Sequence, residues 1–290
     1  MSMSGSDPSI AQYQLTSARL AIFWTGLYGW EVLTSLEYEI DFISGKRVFH
    51  WHLVPYLISR YSQMIGLLCL LYTLSSRSTP VNCASVYVLF FSVELSVLAA
   101  SVILALRTMA AWTNRAVTIG LLTMVAIDAA LVVMNSVLNE STFQSGFCIN
   151  THPLRAYTTV TVMRTYIMFF DAVVLILNIY KLGLGFRAGH GRGQLVRLLL
   201  EQGMIYFIIA FLLNAAAVIL LVSTENHFIG LLVTTPASLL TVIAACRCTR
   251  SLTKFMARSN QSRFSSQVAA TATGPVHFLE SRKSFEERMK

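Results

Sequence analysis

The sequence predicts an all-α polytopic membrane protein: a bundle of seven transmembrane helices, with the N-terminus outside and the C-terminus in the cytosol. Three observations predict it. Of 290 residues, 55% are hydrophobic and only 12% are charged, about half the roughly 25% charge of a soluble globular domain. The apolar residues gather into seven segments that reach the roughly 20 residues needed to cross a hydrocarbon core. Most Lys and Arg stand in short clusters between those segments. Mean hydropathy is +0.61.

The segments are 18–40, 51–74, 82–106, 115–138, 157–181, 198–222 and 227–248. No alternating run is long enough for a barrel strand, so the spans are helices. Residues 1–17 hold no Lys or Arg, unlike the basic start of a signal peptide, and are expected to remain as an outer tail. The bundle occupies 18–249. Basic residues set the orientation: 17 of the 22 Lys and Arg fall in the loops after spans one, three and five, in the C-terminal tail or at the span ends beside them, and only Arg19, Arg77 and Arg155 fall on the other side. The net charge of +8 then reports charge beside a membrane, and nucleic acid is not an expected partner. Residues 250–258, with Leu252, Phe255 and Met256 among Arg250, Lys254 and Arg258, read as an amphipathic helix on membrane lipids. Residues 259–290, rich in Ser, Thr and charge, are expected to be a disordered cytosolic tail.

The first span opens without charge and closes on Glu31, Glu37, Glu39 and Asp41. The last three emerge at the cytosolic end, where they stay hydrated beside Lys46 and Arg47. Glu31 lies deeper and needs a partner. Counted along the helix, Glu31 and Arg60 lie at similar depths, roughly 10–14 Å from the cytosolic ends of adjacent antiparallel spans. They form the expected structural ion pair.

These residues also carry a resemblance. "EVLTSLEYEIDFISGKR" followed by "WHLVPYLISRYSQM" resembles the N-terminal signature, about 22–70, of a large family of membrane proteins of unknown function found in mushroom-forming basidiomycete fungi. Leu33, Thr34, Glu37, Glu39, Trp51, Arg60 and Tyr61 fit the signature, while Ser59 replaces its usual Asn. "LALRTMAAW" (104–112) resembles the family's Leu-Arg-aromatic-Ala element. "LLLEQGMIYFIIAFLLN" (198–214) resembles the opening of its sixth span, with Glu201 where Asp is commoner. The resemblance covers about 22–255 and implies a seven-span fungal membrane protein, with no activity to carry over.

Cys83 falls at the outer end of span three and Cys148 in the outer loop between spans four and five. Both face an oxidising compartment, so a Cys83–Cys148 disulfide is expected, as in rhodopsin-like receptors. Cys246 and Cys248 meet a basic cytosolic segment and are palmitoylation candidates. Asn139, in "NES", is an outward glycosylation candidate. Glu94, Asp128, Arg164 and Asp171 lie inside spans, where ionisable residues point to function. Together they are the expected lining of a central polar cavity for a small-molecule ligand. The competing structural reading is interhelical hydrogen bonding, shared with Asn135, Asn178 and Asn214.

No cofactor or metal is expected. Cys and His are not spaced for zinc, and "GLGFRAGHGRGQ" (183–194) lacks the Gly-Lys-Ser/Thr ending of a phosphate loop. No embedded His cluster serves an enzyme: His50, His52, His190 and His277 are assigned to the cytosolic side, and His152 and His227 to the outer side. A receptor-like or sensor protein is therefore favoured, in the plasma membrane, with a cytosolic signalling partner at its basic loops and tail. The alternative is a proton- or cation-coupled transporter or channel using the embedded carboxylates. Neither Glu/Asp-Arg-Tyr after span three nor the usual setting of Pro236 is present, so coupling to a G protein is not implied.

Overall fold

The computed structural model describes residues 8–45, 51, 53–75, 83–112, 114–138, 141–144, 147–150, 153–187, 208–209, 211–223, 234–251 and 253. The chain divides into two units, Met1–Cys248 and Thr249–Lys290. In the first, α1 (Pro8–Thr34), α2 (Leu36–Ile43), α3 (Leu53–Ser75), α4 (Cys83–Ala111) and α5 (Arg115–Leu138) precede a hairpin of β1 (Ser141–Gln144) and β2 (Phe147–Asn150). Then come α6 (Pro153–Arg187), α7 (Phe211–Ser223) and α8, residues 234–248. In the second unit only residues 249–251 and 253 are described, all helical. The expected amphipathic segment beyond 253 and the tail 259–290 lie outside the described residues.

Four of these helices are long and apolar enough to cross a membrane: Leu53–Ser75, Cys83–Ala110, Arg115–Val137 and Thr158–Lys181. Their surfaces suit that solvent. Large apolar side chains point outward, among them Ile22, Phe23, Leu33, Ile119, Val133, Phe169 and Ile176. Ser59, Gln63, Ser96, Asp128, Asn135, Asp171, Asn178 and Asn214 are buried. Polar groups inside and apolar groups outside is the arrangement of helices whose polar side chains have only each other to bond in lipid.

α4 is the hub, packing against α3, α5, α6 and β1. Its most extensive interface is with α3, where Gly66 allows close approach. A methyl group at that position would lie 2.7 Å from Val93 Cγ2 and 3.1 Å from Ser92 Oγ. The same seam carries polar links, with Ser59 Oγ donating to the Ser96 carbonyl at 3.0 Å and Ser96 Oγ to Gln63 Oε1 at 2.6 Å. α5 starts where expected because Asn114 caps it, its Oδ1 accepting from the Ala116 amide at 3.0 Å.

The first span departs from expectation. The helix begins at Pro8, inside the expected tail, and breaks at Ser35 instead of running to residue 40. The break has a local cause. Thr34 Oγ1 donates to the carbonyls of Trp30 and Glu31, and Ser35 Oγ to those of Glu31 and Val32, so hydroxyls occupy acceptors that a continuing helix would use. α2 restarts at Leu36, and the chain leaves it through Gly45, whose φ of 70° suits glycine.

This break reassigns the expected ion pair. Glu39, expected to be hydrated, is only 4% exposed, and its carboxylate lies 2.7 Å from Arg60 Nη1. Arg60 also donates to Tyr56 Oη at 2.6 Å and to the Val32 carbonyl at 2.5 Å. Tyr61 donates to Glu39 Oε2 at 2.8 Å, and Tyr28 to the Arg60 carbonyl at 2.9 Å. Arg60 thereby takes up the carbonyl at the broken end of α1, where a cation is favoured. Glu31 pairs instead with Arg247 of α8, through Nη2 at 2.6 Å and Nε at 3.1 Å. Depth along one straight helix put Glu31 opposite Arg60; the bend at Ser35 carries Glu39 there.

Cys69, Cys246 and Cys248 are not in disulfides, but Cys246 and Cys248 are each 5% exposed, and Arg107 Nη1 donates to Cys248 Sγ. Neither presents its sulfur for acylation, because the end of the last helix is packed inside the bundle, so the expected palmitoylation is not supported.

Breaking a buried ion pair by removing one partner costs about 3–5 kcal/mol. Arg60→Ala is therefore expected to unfold at markedly lower temperature in lipid nanodiscs. Glu31→Ala removes a partly buried carboxylate whose partner Arg247 is 47% exposed, so solvent screens the pair and the loss should be smaller than for Arg60→Ala. Equal effects of the two substitutions would refute this assignment of partners.

Candidate functional site

At the end of the bundle opposite Arg60 lies a cavity of about 470 Å³. It is built from the middle of α1, the second half of α3, the first halves of α4 and α6, and the first turn of α8. Leu67, Leu70, Leu89, Phe90, Val93 and Trp24 make most of it apolar. Gln63, Glu94 and Arg164 are its polar lining residues from α3, α4 and α6, with Thr234, Thr235 and Ser238 contributed by α8.

Each polar side chain arrives by the pattern of its helix. On α3, Ser59, Gln63 and Gly66 recur at intervals of four and three, the spacing of one helical face, and that face packs on α4. Glu94 lies on α4 and is 7% exposed, with Asn135 of α5 donating from Nδ2 to its Oε1. Arg164 projects from α6, within electrostatic reach of Glu94 and Asp128. Among the described residues, no hydrogen bond or close ion pair holds its guanidinium.

The expected four-residue cavity is therefore divided. Glu94 and Arg164 line the space, and Asp128 and Asp171 do not. Asp171 belongs to a different contact: Asn214 of α7 donates to its Oδ2 at 2.7 Å and reaches Thr241 Oγ1 of α8 at 3.3 Å. Asn178 similarly ties α6 to Thr108 of α4 at 3.1 Å. These are interhelical links of the kind expected on the structural reading. Asp128 is 1% exposed, and neither carboxyl oxygen has a well-aligned hydrogen bond among the described residues. Ser101 of α4 is near enough to act on its carboxyl group. Similar depth in the sequence does not reveal which way a helix turns each acid, and that is why the four separate.

Sequence reasoning missed Trp24, Gln63 and Ser238 as lining residues. For Gln63 a signal was present, the small and polar stripe Ser59–Gln63–Gly66 in an otherwise apolar span. Trp24 and Ser238 carry no comparable mark.

Near the cavity end, Cys83 opens α4 and is disulfide-bonded. β1 packs against α4, and Cys148 stands opposite Phe143 in the hairpin register. The side chain of Cys148 and the whole of Asn139 lie outside the described residues. No group of three or more His, Cys, Asp or Glu is placed to hold a metal among the described residues.

Two substitutions separate linking acids from unlinked ones. Asn135→Leu strips the partner from a buried Glu94 and should destabilise the protein by about 1–3 kcal/mol. Asp128→Asn removes a buried group whose oxygens have no aligned partner, and its unfolding temperature should be unchanged or higher. Thermal unfolding in nanodiscs checks both, and a large loss for Asp128→Asn would contradict this account.

No family model matches the chain, and no curated protein matches it; its function has to be read from its own residues.

Proposed function

We propose that this chain is a receptor-like membrane protein that senses a small molecule in the cavity between α1, α3, α4, α6 and α8. The cavity carries the reading. Its volume falls within the range of about 300–1,000 Å³ typical of small-molecule sites, and so does its pattern of apolar walls with a few convergent polar groups.

The proposed topology is seven spans with the N-terminus outside and the C-terminus cytosolic, in the plasma membrane. Supporting it are the 17 of 22 Lys and Arg on one side of the predicted spans and the seven apolar segments. On this topology the cavity end faces outward and the Arg60 network faces the cytosol. The Cys83–Cys148 bridge would then pin the hairpin beside the cavity, in the compartment that favours disulfides. Basic loops and tail would meet anionic lipid and a cytosolic signalling partner. The signature residues Glu39, Arg60 and Tyr61, which resemble those of the fungal family, meet in one network whose ion pair, Glu39 with Arg60, is buried. That gives the resemblance a structural reason without giving it an activity.

A second reading, proton or cation transport, draws on Asp128, a buried acid inside a span without an aligned hydrogen bond among the described residues. The two readings part in one pair of measurements. A small-molecule screen by thermal shift in nanodiscs should find stabilising compounds whose effect vanishes in Leu70→Trp, which fills the cavity. Proteoliposomes should show no proton flux that Asp128→Asn abolishes. Flux lost in that variant, with no compound stabilising the protein, would replace sensing by transport.

A tag at the N-terminus should be stained on intact cells, and a C-terminal tag only after permeabilisation. The reverse pattern would overturn the orientation.

A further inference from the structure

We infer that the cavity takes an apolar molecule whose head carries a carbonyl oxygen, a carboxylic acid or its ester, with the head against Gln63 and Arg164. This inference rests on the proposed reading of the cavity as a ligand site and names the chemistry of what fills it.

Two side chains on different helices carry the argument. Gln63 is fully buried and lines the cavity. Ser96 Oγ donates to its Oε1 at 2.6 Å, and its Nε2 has no acceptor among the described residues. An amide nitrogen in that position forfeits the hydrogen bonds it made in water, a loss that ligand oxygen would recover. Arg164 lines the same space. A guanidinium presents five N–H donors and no acceptor, and among the described residues none of these donors is engaged in a hydrogen bond. Both groups lack the same thing, an oxygen acceptor.

Among the described residues, no acid nearby is hydrogen-bonded to either group. Glu94 already receives Asn135 at Oε1, and Asp128, though within electrostatic reach of Arg164, does not line the cavity. The charged groups facing Arg164 are thus Glu94 from α4 and Asp128 from α5. Both lie within electrostatic reach of the guanidinium without occupying its donors. A head that accepts hydrogen bonds meets this wall, whereas an ammonium head would set a donor against two donors.

The rest of the lining selects the body. Trp24, Leu67, Leu70, Leu89, Phe90 and Val93 surround the remaining space, and each methylene of a chain moved from water onto such walls gains about 0.8 kcal/mol. An apolar tail with a carbonyl head satisfies both parts.

The test uses the full chain in phosphatidylcholine nanodiscs and three brominated probes with the same ten-carbon chain: the carboxylic acid, its methyl ester and the primary amine. Bromine quenches tryptophan at contact, so the saturable quenching lost in Trp24→Phe reports occupancy of the cavity. The acid or the ester is expected to saturate at concentrations at least about ten-fold below the amine, the difference of one hydrogen bond to a charged group. Which of the two binds better shows whether the head is ionised. Gln63→Leu and Arg164→Gln should each weaken the preferred probe by about ten-fold. An amine that equals or exceeds both overturns this inference and leaves the cavity a ligand site. If none of the three probes gives Trp24-dependent, saturable quenching, the inference and the reading beneath it both fall.

Discussion

Taking a guanidinium out of water costs several kcal/mol even after the surroundings relax, and an arginine cannot shed its charge to avoid it. Arg60 is 3% exposed, so its neighbours have to supply acceptors, and the local structure follows from that demand. One acceptor is a carboxylate, Glu39; another is a phenol, Tyr56; a third is the carbonyl of Val32, in the last turn of α1, which Arg60 shares with Ser35. The stop in α1 and the burial of Glu39 form one arrangement. Straightening the helix would carry Glu39 past the guanidinium.

The two ends of the bundle thus differ in kind. Around Arg60, opposite charges meet at hydrogen-bonding distance and each donor has somewhere to go, apart from Nε. Around Arg164, no charge pair closes at hydrogen-bonding distance among the described residues, and donors are left over. Between them run neutral or singly charged links, Asn178 with Thr108 and Asn214 with Asp171, each joining helices far apart in sequence. A closed polar cluster holds geometry, whereas an open one attached to a cavity has bonds still to make. That contrast separates the structural role given to Arg60 from the binding role given to Arg164, although both are arginines inside apolar spans.

Much of this fold was legible in the sequence where one physical signal dominated. Apolar length located α3, α4, α5 and α6 to within a few residues, and at α5 both ends agree, since Asn114 caps the start. The first span was misread because apolar length says nothing about hydroxyls, and Thr34 and Ser35 break it from within. The same omission moved Glu39 from water to the core and gave Arg60 the wrong acid. At the cavity, Glu94 and Arg164 were legible as charges within spans. Their separation from Asp128 and Asp171 was not, because it depends on the rotation of each helix about its axis, and a nearly all-apolar surface leaves little periodicity from which to read that rotation. The same blindness placed Cys246 and Cys248 at an accessible surface when they sit inside the bundle.

The pair formed by Glu31 and Arg247 joins residues 216 positions apart, and this has a consequence for how the protein is made. At roughly 5–20 residues per second, the ribosome needs about 10–40 s after placing Glu31 to reach Arg247. Arg60, by contrast, follows within seconds, so the network around it can assemble while most of the chain does not yet exist. The Arg60 side of the first helix can therefore be in place well before its contact with Arg247. The contact between the first helix and α8 is thus set by synthesis of α8, whereas the network around Arg60 is not.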